Sequence, residues 1–345
     1  MPEASVGRRD SAVRIRTSGK SDVGRRRQRN EDRFLIADLA KGVAPRDPAL
    51  LRHDVGARGA LWLVADGMGG AAGGELASAM AAERIYRHLV RSWTDEEGTD
   101  PERFADQLRE AVEVANEEIH AYARAHPELR GMGTTATVAG LLGTCVYLAQ
   151  VGDSRAYLVR DRQARQLTKD QSLVQQQVDS GLLTAEEAGR SQQRNILLQA
   201  VGSDARVEVA LTREPVRAGD IVVLCSDGLS MAVSADEIAE IVSAEPDVAA
   251  ACDRLIVLAN ERGGADNITV IVARFGDGRC PREAHDGADP PPGCVAALAD
   301  GSAAPGSDED EPRDSKRDLP WRVLLATLLA AAMAAAAAYI GAQHG

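Results

Sequence analysis

Apolar residues alternate with basic ones from Ala12 to Thr17, and a second short apolar stretch runs from Phe34 to Asp38. Both read as strands. Leu61 to Ala65 is instead an uninterrupted apolar run that ends on Asp66 and passes into Gly67, Met68, Gly69 and Gly70. A buried strand fixes its last residue, and glycines after it let carbonyls turn inward and a ligand approach. An Asp-Gly turn would also explain the pair. Helical spacing follows in two segments, Ala79, Ala82, Tyr86, Leu89, Val90, Trp93 and then Phe104, Leu108, Ala111, Val112, Ala115, Ile119, Tyr122. Pro101 sits where a helix tolerates proline.

Strand patterning returns over Thr134–Leu142, Thr144–Val151 and Arg155–Arg160. Links this short cannot join parallel neighbours, so an antiparallel meander is expected, with Asp153 at a tight turn. Gln171 to Arg194 is polar and reads as an exposed flap, with Thr184 and Glu187 as a capping box. Ile221 to Cys225 is another apolar strand, again followed by an Asp-Gly pair, Asp227 and Gly228. Ser234 and Glu237 cap a helix, a second helix follows from Val248, and Asp266 and Asn267 lead into the strand Ile268–Ala273. Lys41 to Gly59, rich in Pro, Gly and charge, reads as a surface loop without chemistry.

Three aspartates at the margins of buried strands would repel one another unless a cation joined them. Oxygen-only ligands favour magnesium or manganese over zinc, and none of the six histidines falls in these motifs. A carboxylate-bridged metal centre is the reading preferred over coincidental turns. The formal charge of -12 speaks against nucleic acid as a partner. Five cysteines without CxxC spacing signal neither a zinc ribbon nor a disulfide framework, which fits a reducing compartment. The polar N-terminus, without the apolar core of a signal peptide, is expected to be cytoplasmic.

The ordered set SDVGRRRQRNED, ADGMGG, GMGTTATV, VGDSRAYLV, CSDGL and GGADNITVIV resembles the metal-dependent protein phosphatases of type 2C, in their bacterial serine/threonine branch. The resemblance runs from about residue 12 to residue 275. It implies an α+β fold in which two antiparallel sheets pack face to face between helices, with two manganese or magnesium ions at one edge. Carried onto this chain, it implies that Asp66 bridges both ions, that the Gly67 carbonyl binds one, and that Asp227 and Asp266 complete the other. Glu31 and Asp32 match the acidic pair that acts directly or through water, and Asn267 steadies the ligand before it. Arg27 matches the arginine that clamps substrate phosphate, and Asp153 a ligand of a third, weaker ion. The resemblance also suggests Ser191 as a further contact to that ion, although Gln192 and Gln193 follow it where relatives carry Ser-His-Pro. The implied nucleophile is a water activated by the metals, with no side-chain nucleophile. Met68 stands where eukaryotic members have a histidine.

The implied function is hydrolysis of phosphoserine and phosphothreonine in proteins, opposing a serine/threonine kinase. The alternative is a non-catalytic phosphoprotein-binding sensor or scaffold of the same fold. Residues 1–11 are expected to be a tail, 12–275 the phosphatase domain and 276–320 a disordered acidic linker. Val323 to Gln343 carries no charge, so residues 321–343 are expected to form one transmembrane helix. Lys316, Arg317 and Arg322 on its N-terminal side place the catalytic domain on the cytoplasmic face of the cell membrane. The segment's alanine content leaves a soluble helix as the alternative.

Overall fold

A computed structural model of the 345-residue chain describes residues 13–39, 51–55, 59–69, 73–93 and 100–276. The chain divides after Ala299 into two units, and the described residues all belong to the first.

The strands are β1 Val13–Asp22, β2 Arg33–Asp38, β3 Leu51–Val55, β4 Ala60–Ala65, β5 Gly67–Met68, β6 Gly133–Thr134 and β7 Ala136–Leu142. They continue with β8 Cys145–Val151, β9 Arg155–Arg160, β10 Gln163–Gln166, β11 Ala210–Pro215, β12 Ile221–Cys225 and β13 Ile268–Phe275. The helices are α1 Gly73–Ser92, α2 Pro101–Ala125, α3 Leu173–Asp179, α4 Ala185–Arg190, α5 Asp227–Ser230, α6 Ala235–Ala244 and α7 Val248–Glu261. One sheet has the order β10-β9-β12-β13-β1-β3 and the other β11-β8-β7-β4-β2, while β5 and β6 form a small ribbon. Every pairing is antiparallel.

Alternation along the strands builds four layers. Leu61, Leu63 and Ala65 of β4 pack with α1 and α2, whereas Trp62 and Val64 face the second sheet. In β12, Val222 and Leu224 join the inter-sheet core, and Ile221 and Val223 pack with Ile238 of α6 and Leu255 of α7. Strands covered on both faces read as continuous apolar runs, which is why β4 and β12 show no alternation of polarity. Each large side chain buried in this way contributes about 1.5–3 kcal/mol.

The expected meander is only half present. β7 and β8 pair as a hairpin, but β9 leaves that sheet and pairs with β12 and β10 in the other. Gly152, at φ +102°, packs against Thr135, and the Thr137 hydroxyl donates to the Ser154 carbonyl. The short link therefore spans the edge of the sandwich instead of turning within one sheet. The expected loop before β4 contains β3, which pairs with β1 at the sheet margin. β1 itself runs on to Asp22, five residues beyond the alternating stretch.

The helix reading holds for α2, where Phe104, Leu108, Ala111, Val112, Ala115 and Ile119 are all buried. In α1 the buried face is Ala77, Ala81, Ile85 and Leu89. Both expected capping boxes are present, Thr184 with Glu187 on α4 and Ser234 with Glu237 on α6. Among the described residues no helix is long and apolar enough to cross a membrane. The segment expected to do so, 321–343, lies outside the described residues, as does the expected linker from 277 to 320.

Candidate metal centre

Asp66 leaves the buried end of β4 with its backbone held on both sides. Its N–H donates to Thr135 Oγ1 at 2.9 Å, and its carbonyl accepts from the Thr135 N–H at 2.8 Å and Thr134 Oγ1 at 2.9 Å. Thr135 Oγ1 also meets Ser154 Oγ at 2.7 Å, which ties the Asp153 turn to the same point. Gly67 follows with no room for a side chain: a Cβ there would lie 2.2 Å from the Gly74 carbonyl oxygen and 2.7 Å from that of Glu31.

The loop from Val23 to Glu31 is fastened by Asn267. Its Oδ1 accepts the Glu31 N–H at 2.8 Å, and its Nδ2 donates to the carbonyls of Arg29 at 2.9 Å and Val23 at 3.0 Å. Its own N–H donates to Asp266 Oδ1 at 2.8 Å, so it also steadies the carboxylate before it. Asp32 lies beneath, buried, with Oδ2 accepting from Ser226 Oγ at 2.8 Å. Ser226 is fixed in turn by the Thr269 N–H. Behind Asp153, the Arg155 guanidinium donates to Asp170 and to the Tyr157 hydroxyl.

These elements bring Arg27, Glu31, Asp66, Gly67, Asp153, Asp227, Asp266 and Asn267 around one cavity of about 470 Å³. Ser191 is not among its lining residues; its N–H closes α4 on the Ala188 carbonyl. The flap reaches the cavity through Asn195 and Leu197, one residue and three residues beyond the expected boundary. Thr135, Ser226, Asn195 and Arg155 were not singled out from sequence, although Thr135, Ser226 and Arg155 had a local signal, their places in GMGTTATV, CSDGL and VGDSRAYLV.

Charge crowding dominates this cavity. Burial, then the charges of Asp32, Asp227, Asp153 and Asp266, push the Asp66 carboxyl well above the ordinary carboxylate range. Burial pushes Asp32 up to about 7, against hydrogen bonds from Thr269 and Ser226. Asp153 is likewise pushed up to about 7 by burial and by Asp227. Burial and Asp266 raise Asp227, and burial raises Glu31 against the pull of Arg27. Oδ1 of Asp227 and Oδ1 of Asp32 are buried without a hydrogen-bond partner. Among the described residues no three histidine, cysteine, aspartate or glutamate side chains stand arranged as a closed ligand set. Mutually repelling carboxylates with unpartnered buried oxygens nevertheless fit hard divalent cations, which would supply both the missing charge and the missing partners.

Comparison with known proteins gives the same direction. The family described as Protein phosphatase 2C matches residues 39–269. The serine/threonine protein phosphatase PstP of Mycobacterium tuberculosis is 40% identical over 259 residues, which cover 75% of this chain and 45% of PstP. The chain thus spans less than half the length of that relative. The serine/threonine phosphatase stp of Listeria monocytogenes is 39% identical over 211 residues, covering 61% of this chain and 82% of that protein. The crystal structure of the PstP catalytic domain in complex with two manganese ions superposes with a TM-score of 0.63 at 38% identity, over 77% of this chain and all of that one (100%). The Streptococcus agalactiae serine/threonine phosphatase gives 0.65 at 32% identity, over 75% and 99%.

Proposed function

The chain belongs to the protein phosphatase 2C family, and we propose that it hydrolyses phosphoserine and phosphothreonine in proteins at the carboxylate cavity. The convergence of five carboxylates, Glu31, Asp66, Asp153, Asp227 and Asp266, on one cavity whose wall carries Arg27 is the observation behind this reading. Asp66, on which the charges of four other aspartates act, is assigned to both ions, with the Gly67 carbonyl, Asp227, Asp266 and Glu31 completing the set. Asp153, beside Asp227, is assigned to a third. Two manganese or magnesium ions held there supply Lewis acidity and a water acidified to near-neutral pKa.

The chain's own residues supply the rest. Arg27 offers a fork of donors to the phosphoryl oxygens of the substrate. Among the described lining residues Thr135 carries the one hydroxyl, and its Oγ1 is occupied by the Asp66 N–H and Ser154 Oγ, while the carboxylates are assigned to the ions. Water is therefore assigned as the nucleophile, and no phosphoenzyme forms. Asn267 keeps Glu31 and Asp266 in register by binding both of their chain segments. Met68, 39% exposed at the cavity, has no proton to give the leaving oxygen.

The purified chain is expected to release phosphate from a phosphothreonine peptide with manganese and to stop when EDTA is added. Activity that survives complete metal removal would overturn this reading, and binding of the phosphopeptide without turnover would favour the sensor alternative.

A serine/threonine kinase is the proposed opposing partner, since the substrate it leaves is the one hydrolysed here. We further propose that Val323 to Gln343 anchors the chain in the cell membrane with the catalytic domain cytoplasmic. The support is the uncharged run and the flanking Lys316, Arg317 and Arg322. Recovery of the full chain in the soluble fraction, alongside a chain ending at Asp318, would rule the anchor out.

A further inference from the structure

A second cavity, of about 510 Å³, opens beside the carboxylate centre. It is lined by His120 and Arg124 of α2, by Arg130 and Gly131 from the turn that follows, and by Gly202 and Ser203. None of its lining residues is acidic, in a chain with 52 acidic residues against 40 lysines and arginines. Arg155, Arg160 and Arg262 each hold a carboxylate. Among the described residues Arg124 and Arg130 hold none. A helix C-terminus favours a cation in its last turn, which accounts for Arg124. It does not account for Arg130, which lies beyond the helix.

The walls are fixed. Asn116, buried on α2, accepts the Gly202 N–H at 2.7 Å and donates to the Asp204 carbonyl at 3.1 Å. Gly202 sits at φ +91°, and a Cβ on it would lie 2.3 Å from Ile119 Cγ2, so glycine is what lets this loop meet the helix. His120 Nδ1 lies 3.2 Å from the Gly202 carbonyl, which can only accept, so the ring donates there. One thin wall separates the two cavities. Gly69 lines the carboxylate centre, a Cβ on it would lie 2.8 Å from the Gly131 carbonyl oxygen, and Met68 pairs with Gly133 across the β5–β6 ribbon.

We propose that this basic pocket binds an anionic side chain of the substrate, a carboxylate or a second phosphate, close in sequence to the residue being dephosphorylated. Two guanidinium forks that hold no carboxylate among the described residues suit an oxyanion, and their position one wall away makes it part of the same polypeptide. The proposal rests on the phosphatase reading above and names the substrate class that the site prefers.

The test uses the full chain with manganese and phosphothreonine peptides whose neighbouring positions carry alanine, glutamate or a non-hydrolysable phosphonate analogue of phosphoserine. KM is expected to fall several-fold for the anionic peptides at unchanged kcat, and the glutamate and phosphonate series separate carboxylate from phosphate. The doubly substituted Arg124→Ala, Arg130→Ala chain is expected to lose this preference while hydrolysing p-nitrophenyl phosphate as before. Substitution of both by lysine, which keeps the charge, should restore part of it. Equal KM for all peptides, or a preference that survives the alanine substitutions, would overturn the pocket's role while p-nitrophenyl phosphate is still hydrolysed. Failure to hydrolyse any substrate would instead overturn the phosphatase reading, and this proposal with it.

Discussion

Arg27 Nη2 donates to Asp266 Oδ2 at 2.6 Å, joining the residue assigned to substrate phosphate with one assigned to metal, 239 positions apart in the chain. The pair raises the Arg27 pKa, first through that hydrogen bond, so the guanidinium stays charged throughout the working pH range. The arginine is thus held at the cavity wall before any phosphate arrives, and its donors would be freed for the substrate if Asp266 held a cation.

Removing that side chain should separate the two roles. Hydrogen bonds to charged groups contribute about 1.5–3 kcal/mol, so Arg27→Ala is expected to lower kcat/KM on a phosphothreonine peptide by about 10- to 100-fold. Manganese affinity, measured by calorimetry, should not fall, because Asp266 loses only a competing partner.

Thr135→Val deletes the hydroxyl that receives the Asp66 N–H and meets Ser154 Oγ, while keeping the side chain's shape. Loss of such an orienting contact typically weakens metal binding about 10- to 100-fold. Calorimetric titration with manganese should show that drop, with a stability loss of about 1–3 kcal/mol for the unpaired amide.

Gly67→Ala should be worse than its size suggests. The new methyl would meet two backbone carbonyls, of Gly74 and Glu31, and neither can rotate away as a side chain could. Activity is expected to disappear together with a clear fall in Tm, whereas Gly181→Ala, at an open turn, should leave activity intact despite its positive φ.

The metal-free protein should have an unusual pH profile. Asp32 and Asp153, held at about 7 in the fold, return to the ordinary carboxylate range on unfolding. Between about pH 4 and 7 the native state therefore binds more protons than the unfolded chain, and stability falls as pH rises. Glu237 acts oppositely: Arg262 and the Ser234 cap hold it at about 2, so its contribution is lost only as pH drops from the ordinary glutamate range towards 2. With EDTA present, Tm is expected to decline from pH 5.5 to pH 8, and Asp153→Asn should flatten the decline. Excess manganese should abolish it, and a flat profile without metal would contradict the assigned crowding.

Much of the site was legible because its main carboxylates end buried strands, and a run such as LWLVA followed by Asp-Gly is a local signal. Asn267 was expected to steady Asp266, as it does, but its other bonds and the part played by Ser226 were not legible. Asn267 binds Val23, Arg29 and Glu31, and Ser226 reaches Asp32 across 194 positions; such links exist only once the sheets have packed. The crossing of β9 to the other sheet escaped a rule based on link length, because that rule excludes parallel neighbours without choosing the sheet. β3 was missed since its sequence LRHDV has no strand periodicity and owes its state to pairing with β1.

The central claim is that four carboxylates, Glu31, Asp66, Asp227 and Asp266, form one centre for two tightly held divalent ions, with Asp66 shared between them and Asp153 left to a third, weaker one. Calorimetric titration of the metal-free chain with manganese, alongside Asp66→Asn, tests it most directly. Two tight ions are predicted for the unaltered chain, and no more than one, with loss of phosphopeptide hydrolysis, for Asp66→Asn. Two tight ions retained by Asp66→Asn, or none bound by the unaltered chain, would contradict the claim.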